Sequence, residues 1–516
     1  MKPQRLVSPG SLTRMQQAAA EAWHRQDYDE SIELQERASR MDPANPGILL
    51  DLGRAYGMRY DCAAAEKSFE KAVRVAPRKS EVLAMAGMQC RGFSRYEMAK
   101  HYFERAIAEP GAPPDTFVKL AELYERFHFL KEADDLVDQA LKMDRRCALA
   151  LLVRARLDRL SGRLGEAETA INSLLAMTSQ ETWSTRVRGW YELGAILDRQ
   201  GRFDEAMTAF LQAKAMVRPN AIERLAVQRK VHASMKEAEG AISADILRRW
   251  FDQGKSLPRA HRLALLGGHP RSGTTLLEQV LDSHPDIVSA EETTIFYQEV
   301  YLPIRRGFAE GTPILPPIDS LAPERLTKLR GDYFRCMESF RIDPVGQRLL
   351  IDKNPSLTAL VPAIARVFPE AKFLIALRDP RDVCLSCFMQ PLPLNQVSAT
   401  FLTLEDTVAE YSSMMGFWRT LAPRLPNPRL EVRYEDLVDD LESVSRRVLD
   451  FLGVPWDECV LKFNEHARKK LVRSPTYADV AKPVFKGAIG RWTNYRKYFD
   501  PLQDQLAPFT KAFGYE

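Results

Sequence analysis

The sequence predicts a multidomain protein in which an all-α superhelix of repeated helical hairpins precedes an α/β domain. The α/β domain is expected to be P-loop-like, with three layers and a central parallel sheet. Three observations support this fold class. The chain of 516 residues is too long for a single hydrophobic core. Its first half repeats a pattern of small and large apolar residues, and its second half contains two units of strand, loop and helix.

The first half of the chain carries a period of about 34 residues. One unit contains Leu52, Gly53, Tyr56, Ala65, Phe69, Ala72 and Pro77. The equivalent positions of the next two units are Ala86, Gly87, Cys90, Ala99, Phe103 and Ala106, then Leu120, Ala121, Tyr124, Ala133, Val137 and Ala140. Weaker units flank these three, and a last one lies between Leu193 and Ala213. The offsets match the tetratricopeptide repeat (TPR), a helical hairpin that buries its apolar face against its neighbours.

The repeats predict both a domain arrangement and a role. About six units extend over residues 1–220, and a charged helical stretch without the period predicts a cap and connector over residues 221–258. The predicted α/β domain covers residues 259–516. Because helical repeats stack into an extended concave surface, we expect a protein or peptide partner on that face.

Composition and charge narrow the class of partner. The net charge of +4 is too small to indicate binding to nucleic acid or to a membrane surface. The N-terminus lacks the apolar stretch of a signal peptide, and no apolar run approaches the ~18 residues of a membrane span. We therefore expect a cytoplasmic protein without a membrane partner. The seven cysteines are dispersed, which indicates reduced thiols.

The second half opens with a loop suited to binding an anion. Residues 262–267 form a short apolar run suited to a buried strand, glycines follow between Gly268 and Thr275, and residues 276–281 have helical apolar spacing. In such a unit, backbone N–H groups and the positive end of the helix bind the anion. The ATP-binding P-loop has Lys where this chain has Thr274, and Arg271 lies inside the loop instead. The loop therefore favours a smaller oxyanion over ATP.

Several segments of the second half resemble sulfotransferases. PRSGTTLLEQVLDSHPDIVSAEET, residues 270–293, resembles their 5′-phosphosulfate-binding segment, above all that of the tyrosylprotein sulfotransferases. Residues 372–386 resemble the family's 3′-phosphate motif, with Arg378 and Ser386 at the family's spacing. Further matches follow the family's segments at DKNP (352–355), RYEDL (433–437), RS (473–474), KPV (482–484) and KGAIGRW (486–492). The resemblance covers about half of the chain.

The resemblance implies 3′-phosphoadenosine-5′-phosphosulfate (PAPS) as the sulfuryl donor, adenosine 3′,5′-bisphosphate (PAP) as the product, and no metal. The residues that it implies for donor binding are Pro270, Arg271, Ser272, Gly273, Thr274, Thr275, Arg378, Ser386, Tyr434, Ser474, Lys482, Lys486 and Gly487.

The resemblance also implies roles for the residues at the reacting groups. Glu292 is the expected general base for the acceptor hydroxyl. Arg271 is expected at the sulfuryl oxygens and Lys353 at the oxygen that bridges to the leaving phosphate, where Ser474 adds a hydrogen bond. We expect structural roles for His269 and His284.

Two departures from the tyrosylprotein family bear on the acceptor. Thr294 stands where those enzymes have an Arg that meets acidic peptide residues, and Ser289 and Ala290 stand where they have a luminal disulfide cysteine. We therefore expect an acceptor with a free hydroxyl and no requirement for an acidic tyrosine site. The hydroxyl belongs to a tyrosine of a protein or peptide, a sugar, a lipid head group, or a small phenol or alcohol.

Two other functions are open at this point. A non-catalytic TPR scaffold with a degenerate nucleotide-binding domain would keep the fold without turnover, but the presence of Glu292, Lys353 and Arg271 argues against it. A P-loop kinase would bind ATP with Mg²⁺ more tightly than PAP, and Thr274 argues against that function.

Overall fold

The computed structural model describes residues 9–25, 27–258, 261–309, 311–341, 343–469, 477–484 and 486–515. The chain divides into two compact units, one ending at Leu157 and one beginning at Asp158. The functional boundaries expected from the sequence, at residues 220 and 258, remain predictions.

The first unit is helical. Its helices are α1 (Pro9–His24), α2 (Tyr28–Met41), α3 (Pro46–Met58), α4 (Cys62–Val75), α5 (Lys79–Gly92), α6 (Tyr96–Ala108), α7 (Pro114–Arg126) and α8 (Leu130–Met143), and α9 (Ala148–Leu160) begins in it. Successive helices pair as α1–α2, α3–α4, α5–α6 and α7–α8. Asp27, Asn45 and Asp61 begin α2, α3 and α4, because their side chains accept hydrogen bonds from backbone N–H groups of the first turn.

Glycines allow the paired helices of this unit to approach closely. A Cβ atom on Gly53 of α3 would lie 2.4 Å from the ring of Phe69 on α4. A Cβ atom on Gly87 of α5 would lie 3.0 Å from the ring of Phe103 on α6. The same contact thus recurs one repeat later, and the TPR-like architecture predicted for the N-terminal part is confirmed.

The second unit also begins with helices. They are α10 (Leu164–Leu175), α11 (Trp183–Arg199), α12 (Phe203–Val217), α13 (Ile222–Ala241) and α14 (Ala244–Gly254). Helices α11 and α12 pair as a hairpin, in which a Cβ atom on Gly194 would lie 2.5 Å from the ring of Phe210. This hairpin is the last repeat predicted from the sequence. Helices α13 and α14 lie within residues 221–258, whose role as cap and connector remains a prediction.

A five-stranded parallel sheet lies within the described part of the second unit. Its strands are β1 (Leu263–Gly268), β2 (Ile287–Glu291), β3 (Leu349–Lys353), β4 (Lys372–Leu377) and β5 (Arg429–Arg433). Their spatial order is β2-β3-β1-β4-β5.

Helices connect and flank these strands. They are α15 (Thr274–Asp282), α16 (Leu302–Arg305), α17 (Leu315–Asp319), α18 (Pro323–Phe340), α19 (Val361–Val367), α20 (Pro380–Met389), α21 (Gln396–Ala399), α22 (Leu404–Leu421), α23 (Tyr434–Asp439), α24 (Leu441–Leu452), α25 (Phe463–Lys469), α26 (Tyr477–Val480), α27 (Arg496–Phe499) and α28 (Gln503–Phe513). A π-helix covers Phe296–Tyr301, and 3₁₀ turns cover Pro355–Leu360 and Arg491–Tyr495.

Helices cover both faces of the sheet, because side chains alternate between the two faces along each strand. On one face, Leu266 of β1 shares a core with Leu277 of α15 and Val448 of α24. On the other face, the ring of Phe373 in β4 lies 6.3 Å from that of Trp418 in α22. The arrangement is the predicted α/β fold with a central parallel sheet.

The carboxyl ends of the parallel strands meet at one edge of the sheet, where open α/β sheets bind their ligands. There β2 is followed by Glu292, β3 ends at Lys353, β4 is followed by Arg378 and β5 is followed by Tyr434. The anion-binding loop predicted from the sequence follows β1 at the same edge. Positions far apart in the sequence therefore converge.

Candidate active site

The loop between β1 and α15 is shaped by two glycines and anchored by a threonine. Gly268 has φ +126°, and a Cβ atom there would lie 2.4 Å from the carbonyl oxygen of Ala376. Thr358 Oγ1 accepts from the Gly268 N–H at 2.8 Å and donates to the Gly268 carbonyl oxygen at 3.0 Å. Gly273 has φ +92°, and a Cβ atom there would lie 2.6 Å from the ring of Tyr434. Larger residues at these glycines would be strained and would displace a neighbour.

The remaining loop residues lie beside the start of α15. Ser272, Thr274 and Thr275 are buried, and Pro270 is partly buried. The first N–H groups of a helix have no partners within the helix, so the start of α15 supplies donors for an anion. This is the strand, loop and helix unit predicted from the sequence.

The two predicted phosphate-binding segments contact each other. Arg271 has φ +72°, and its Nε donates to Ser386 Oγ on α20 at 3.0 Å. Arg378 donates to the Arg271 carbonyl oxygen at 3.3 Å. Burial lowers the pKa of the Arg271 guanidinium, and the Arg378 charge acts in the same direction. Since an anion would relieve both effects, this pair of guanidinium groups suits a phosphate or sulfate ligand.

Arg378 is held from several sides and retains one donor. It donates to the carbonyl oxygen of Ala488, lies 4.0 Å from Asp382, and has its guanidinium carbon 5.1 Å from the ring centroid of Tyr434. Its Nε is buried and has no acceptor among the residues that the structure describes. Buried donors nearly always have a partner, so this N–H is available to an acceptor atom of a ligand.

Lys353 is fully buried at the end of β3, surrounded within the described chain by three carboxylates. Its Nζ lies 2.9 Å from Glu292 Oε1, 3.3 Å from Glu291 Oε1 and 3.3 Å from Glu278 Oε2 on α15. Burial opposes the charged form, but the carboxylates outweigh it and raise the pKa of Lys353 above its ordinary value. The site therefore contains a fixed positive charge away from water.

Glu292 differs from the other two carboxylates in its access to solvent. Its side chain is 41% exposed, against 3% for Glu291 and 0% for Glu278. Its backbone has φ +48°, and its N–H donates to the Lys353 carbonyl oxygen at 2.7 Å. Left-handed backbone at a residue other than glycine is uncommon and concentrates at functional sites. Of these carboxylates, Glu292 is the one that an acceptor molecule arriving from solvent can reach.

The structure gives less support to the donor-binding residues that were predicted near the C-terminus. Ser474 lies outside the described residues. Lys482 and Gly487 are exposed, and Lys486 forms an exposed ion pair with Asp439. The neighbouring Ala488 brings this part of the chain to Arg378, but donor-binding roles for the two lysines and Gly487 remain predictions.

The site also contains residues that sequence reasoning did not single out. Asp382 on α20 accepts from backbone N–H groups near the C-terminus, Thr358 anchors the loop after β1, and Glu278 contacts Lys353. Asp382 carried a detectable signal, because it is an acidic residue in a largely apolar helix that follows the predicted 3′-phosphate strand. Glu278 carried the same signal, because it lies inside the apolar run of residues 276–281, whereas Thr358 carried none.

His269 and His284 both contact backbone groups. His284 Nδ1 accepts from the Asp286 N–H at 3.1 Å, and its Nε2 lies 2.9 Å from the Pro455 carbonyl oxygen. His269 is fully buried, its Nδ1 lies 2.9 Å from the Pro270 carbonyl oxygen, and burial lowers its pKa to about 4. These contacts favour structural roles for both histidines.

The described residues contain no group of three or more His, Cys, Asp or Glu side chains that could hold a metal ion. Cys384 and Cys387 are buried free thiols on α20. Burial raises the pKa of Cys387 to about 12, so this thiol stays protonated at neutral pH.

Two regions of the chain match models of known protein families. Residues 264–458 match the model described as the sulfotransferase family. Residues 118–182 and 187–216 match tetratricopeptide-repeat models. The chain therefore contains a region that matches the sulfotransferase family and, before it, regions that match TPR repeats.

Several relatives are similar to this chain at low identity. An uncharacterized protein of Aquifex aeolicus (strain VF5) is 26% identical over 329 residues, which are 62% of this chain and 41% of that protein. A protein-tyrosine sulfotransferase of Drosophila melanogaster is 24% identical over 320 residues, 60% of this chain and 62% of its own length. Protein-tyrosine sulfotransferase 1 of Danio rerio is 26% identical over 282 residues, 52% of this chain and 74% of its own length. The matched region thus spans less than two thirds of the length of each of the first two relatives.

Among solved structures, the sulfotransferase domain from the Synechococcus PCC 7002 olefin synthase is 23% identical, with a TM-score of 0.37. The alignment covers 51% of this chain and 97% of that domain. Separately, none of the helices in the described ranges is both long and apolar enough to span a membrane.

Proposed function

We propose that this chain transfers a sulfuryl group from PAPS to a hydroxyl group of an acceptor molecule. The observation that carries the proposal is the convergence of two groups at the carboxyl edge of the sheet. One group is cationic and contains Arg271 and Arg378 with Ser386. The other is the ion pair of Lys353 with the solvent-accessible Glu292. The match to the sulfotransferase family supports the same chemistry.

The residues of the site fit a nucleotide with anionic groups at both its 5′ and 3′ positions. The loop after β1 and the start of α15 suit the 5′-phosphosulfate, because backbone N–H groups and Arg271 are available there. The unpartnered Nε of Arg378 and the hydroxyl of Ser386 suit the 3′-phosphate. When bound, PAPS supplies the sulfuryl group together with a phosphate leaving group.

Glu292 is proposed as the general base. Its carboxylate lies 2.9 Å from the Lys353 ammonium and reaches solvent, so it is accessible to an arriving acceptor. It accepts the proton of the acceptor hydroxyl while the acceptor oxygen forms its bond to sulfur and the bond from sulfur to the donor phosphate oxygen breaks.

Lys353 and Arg271 are proposed to stabilise charge during the transfer. Proton uptake neutralises Glu292 and weakens its hold on the Lys353 ammonium. The ammonium is then available for the negative charge that develops on the leaving oxygen. Arg271 stabilises the sulfuryl oxygens. The large positive charge of a metal ion is less necessary, since a sulfuryl group carries less charge than a phosphoryl group.

The acceptor is proposed to be a hydroxyl compound, with a tyrosyl hydroxyl as the first to be tested. Relatives named protein-tyrosine sulfotransferase suggest this class. Thr294 supplies no positive charge for acidic residues beside the tyrosine, so neutral peptides are expected to serve as well as acidic ones. A protein or peptide partner is proposed for the concave face of the repeats, and a cytoplasmic location is retained as a prediction.

The proposal is tested by the reverse reaction in the presence of EDTA. p-Nitrophenyl sulfate and PAP are incubated with the full chain, and the release of p-nitrophenol is followed at neutral pH. PAP-dependent release that Glu292→Gln lowers by about 10²–10⁴-fold is the expected result. A chain that binds PAP but releases no p-nitrophenol and sulfates no hydroxyl compound with PAPS would instead be a nucleotide-binding scaffold.

A further inference from the structure

Residues 486–498, here called the C-terminal segment, connect the predicted 3′-phosphate site to the helical hairpin α11–α12 of the same unit. Near its start, the carbonyl oxygen of Ala488 accepts a hydrogen bond from Arg378. The guanidinium that is expected to bind the 3′-phosphate therefore depends on the path of this segment for one of its contacts.

Helix α20 fixes the middle of the C-terminal segment. Asp382 accepts from the backbone N–H of Gly490 at 2.7 Å and from that of Trp492 at 2.8 Å. The guanidinium carbon of Arg381 lies 4.1 Å from the centroid of the Trp492 ring. The same helix carries Ser386, so the segment and the predicted 3′-phosphate donors share one support.

The far end of the C-terminal segment is held by the last helical hairpin, α11–α12. Asp198, near the end of α11, accepts from Arg491 at 2.7 Å and from the hydroxyl of Tyr495 at 2.7 Å. Tyr495 is fully buried, and its ring centroid lies 5.5 Å from that of Phe203 at the start of α12. Burial and the Asp198 carboxylate both raise the pKa of Tyr495, so its hydroxyl remains a donor.

The same hairpin contacts α20 directly. Lys214 of α12 is buried, and its Nζ lies 4.8 Å from the ring centroid of Phe388 on α20. The ammonium donates to the carbonyl oxygen of Phe401 at 2.7 Å. The last repeat thus packs against the helix that carries Ser386 as well as against the C-terminal segment.

We propose that Asp198, on the last TPR-type hairpin, is a positioning residue for the 3′-phosphate of the donor nucleotide. It acts by holding the C-terminal segment, and through Ala488 it holds Arg378 in the orientation that binds the phosphate. This inference rests on the proposed function. If Asp198 has this role, one repeat of the helical array contributes to nucleotide binding.

The proposal is tested in the full chain by comparing PAP with adenosine 5′-phosphate (AMP), which lacks only the 3′-phosphate. Asp198→Ala removes the acceptor for both Arg491 and Tyr495. Apparent affinity is proportional to the fraction of molecules in the binding conformation. If only roughly a tenth of the Asp198→Ala molecules keep the C-terminal segment in its position, the affinity for PAP should fall about tenfold. AMP affinity should stay within about twofold. A purely structural defect would reduce the active fraction for both ligands equally and leave their affinity ratio unchanged.

Two further variants make the test decisive. Asp204→Ala is the matched control on the same hairpin, because it removes an exposed acceptor for Lys497 and Tyr498 at the very end of the segment. These two residues follow the buried Tyr495, so the path of the segment at Ala488 and the PAP-to-AMP affinity ratio should not change. Tyr495→Phe keeps the buried ring and removes only the hydroxyl that Asp198 binds, so it remains informative if Asp198→Ala does not fold. We expect Tyr495→Phe to lower the ratio about threefold.

The outcomes separate this inference from the proposed function. If the unmodified chain does not bind PAP, the proposed function fails. If the unmodified chain binds PAP but the ratio is unchanged in Tyr495→Phe and in any folded Asp198→Ala protein, Asp198 has no positioning role and the proposed function stands.

Discussion

The helical repeats and the carboxyl edge of the sheet depend on different kinds of contact. In the first unit, a glycine beneath an aromatic ring recurs from repeat to repeat, as in Gly53 with Phe69 and Gly87 with Phe103. At the sheet edge, Lys353 with its surrounding carboxylates is a single arrangement assembled from three separate segments.

This difference indicates where single substitutions should act. A repeat array is stabilised by equivalent contacts between neighbours, so a substitution there should lower stability locally. At the sheet edge the charged groups are specific to binding or chemistry. Substitutions there should change nucleotide affinity or turnover while the fold persists.

The largest effect is expected for Glu292→Gln. Glutamine keeps the size of the side chain and removes its basicity, so turnover should fall by about 10²–10⁴-fold, the usual range for loss of a general base. PAP affinity should stay within about twofold, because the proposed base faces the acceptor. Steady-state turnover of p-nitrophenyl sulfate and calorimetric titration of PAP measure the two quantities.

Glu291→Gln is the matched control for that variant. Its carboxylate lies 3.3 Å from the same Lys353 Nζ but is only 3% exposed, so its loss should affect turnover much less. If Glu291→Gln were inactive and Glu292→Gln active, the general base would be Glu291 and not Glu292. Activity in both variants would place the base elsewhere.

The next largest effect is expected for Arg378→Ala, which removes a charged donor from the predicted 3′-phosphate site. PAP binding should weaken by about 1.5–3 kcal/mol, the range for hydrogen bonds to charged groups, which is roughly 10- to 150-fold. AMP binding should change far less. Equal losses for both nucleotides, measured by calorimetry, would show that Arg378 supports the fold instead of the phosphate.

A substitution in the repeats tests the other side of the comparison. Gly53→Ala places a methyl group 2.4 Å from the Phe69 ring and should lower the free energy of unfolding by about 1–3 kcal/mol through overpacking. Gly92→Ala, near the end of α5, has open space around the new methyl group and should be neutral or stabilising by up to about 1 kcal/mol. Denaturant unfolding of the two variants measures this contrast, and similar values for both would refute it.

The smallest expected effect is the contribution of His269 to the pH dependence of the free energy of unfolding. Burial lowers its pKa to about 4 in the folded chain, whereas the ordinary value is 6.5. Between these pH values the unfolded chain binds more protons, so acidification destabilises the fold. From pH 7 to pH 5.5 the histidine should account for a loss of about 1 kcal/mol. Unfolding at both pH values should show a smaller loss in His269→Gln, and an equal loss would contradict the buried, neutral histidine.

Much of the fold could be predicted from local sequence. The repeat period marked the small residues beneath aromatic rings, and the apolar run before Gly268 marked β1 with its loop and helix. Local signals sufficed because periodicity and turn residues report the secondary structure of nearby residues.

The candidate site was only partly predictable. Arg271, Glu292, Lys353 and Arg378 were proposed from motifs, and the structure brings them to one edge of the sheet, although their roles remain predictions. The contacts of Asp198 with Arg491 and of Glu278 with Lys353 could not be predicted. They join residues whose proximity is set by tertiary packing and by no local pattern.

Calorimetric titration of the full chain with PAP in the presence of EDTA tests the central claim most directly. We expect micromolar binding of PAP that is unchanged by EDTA and tighter than the binding of ATP measured separately with Mg²⁺. An absence of PAP binding, or tighter binding of ATP with Mg²⁺, would contradict a PAPS-dependent sulfotransferase.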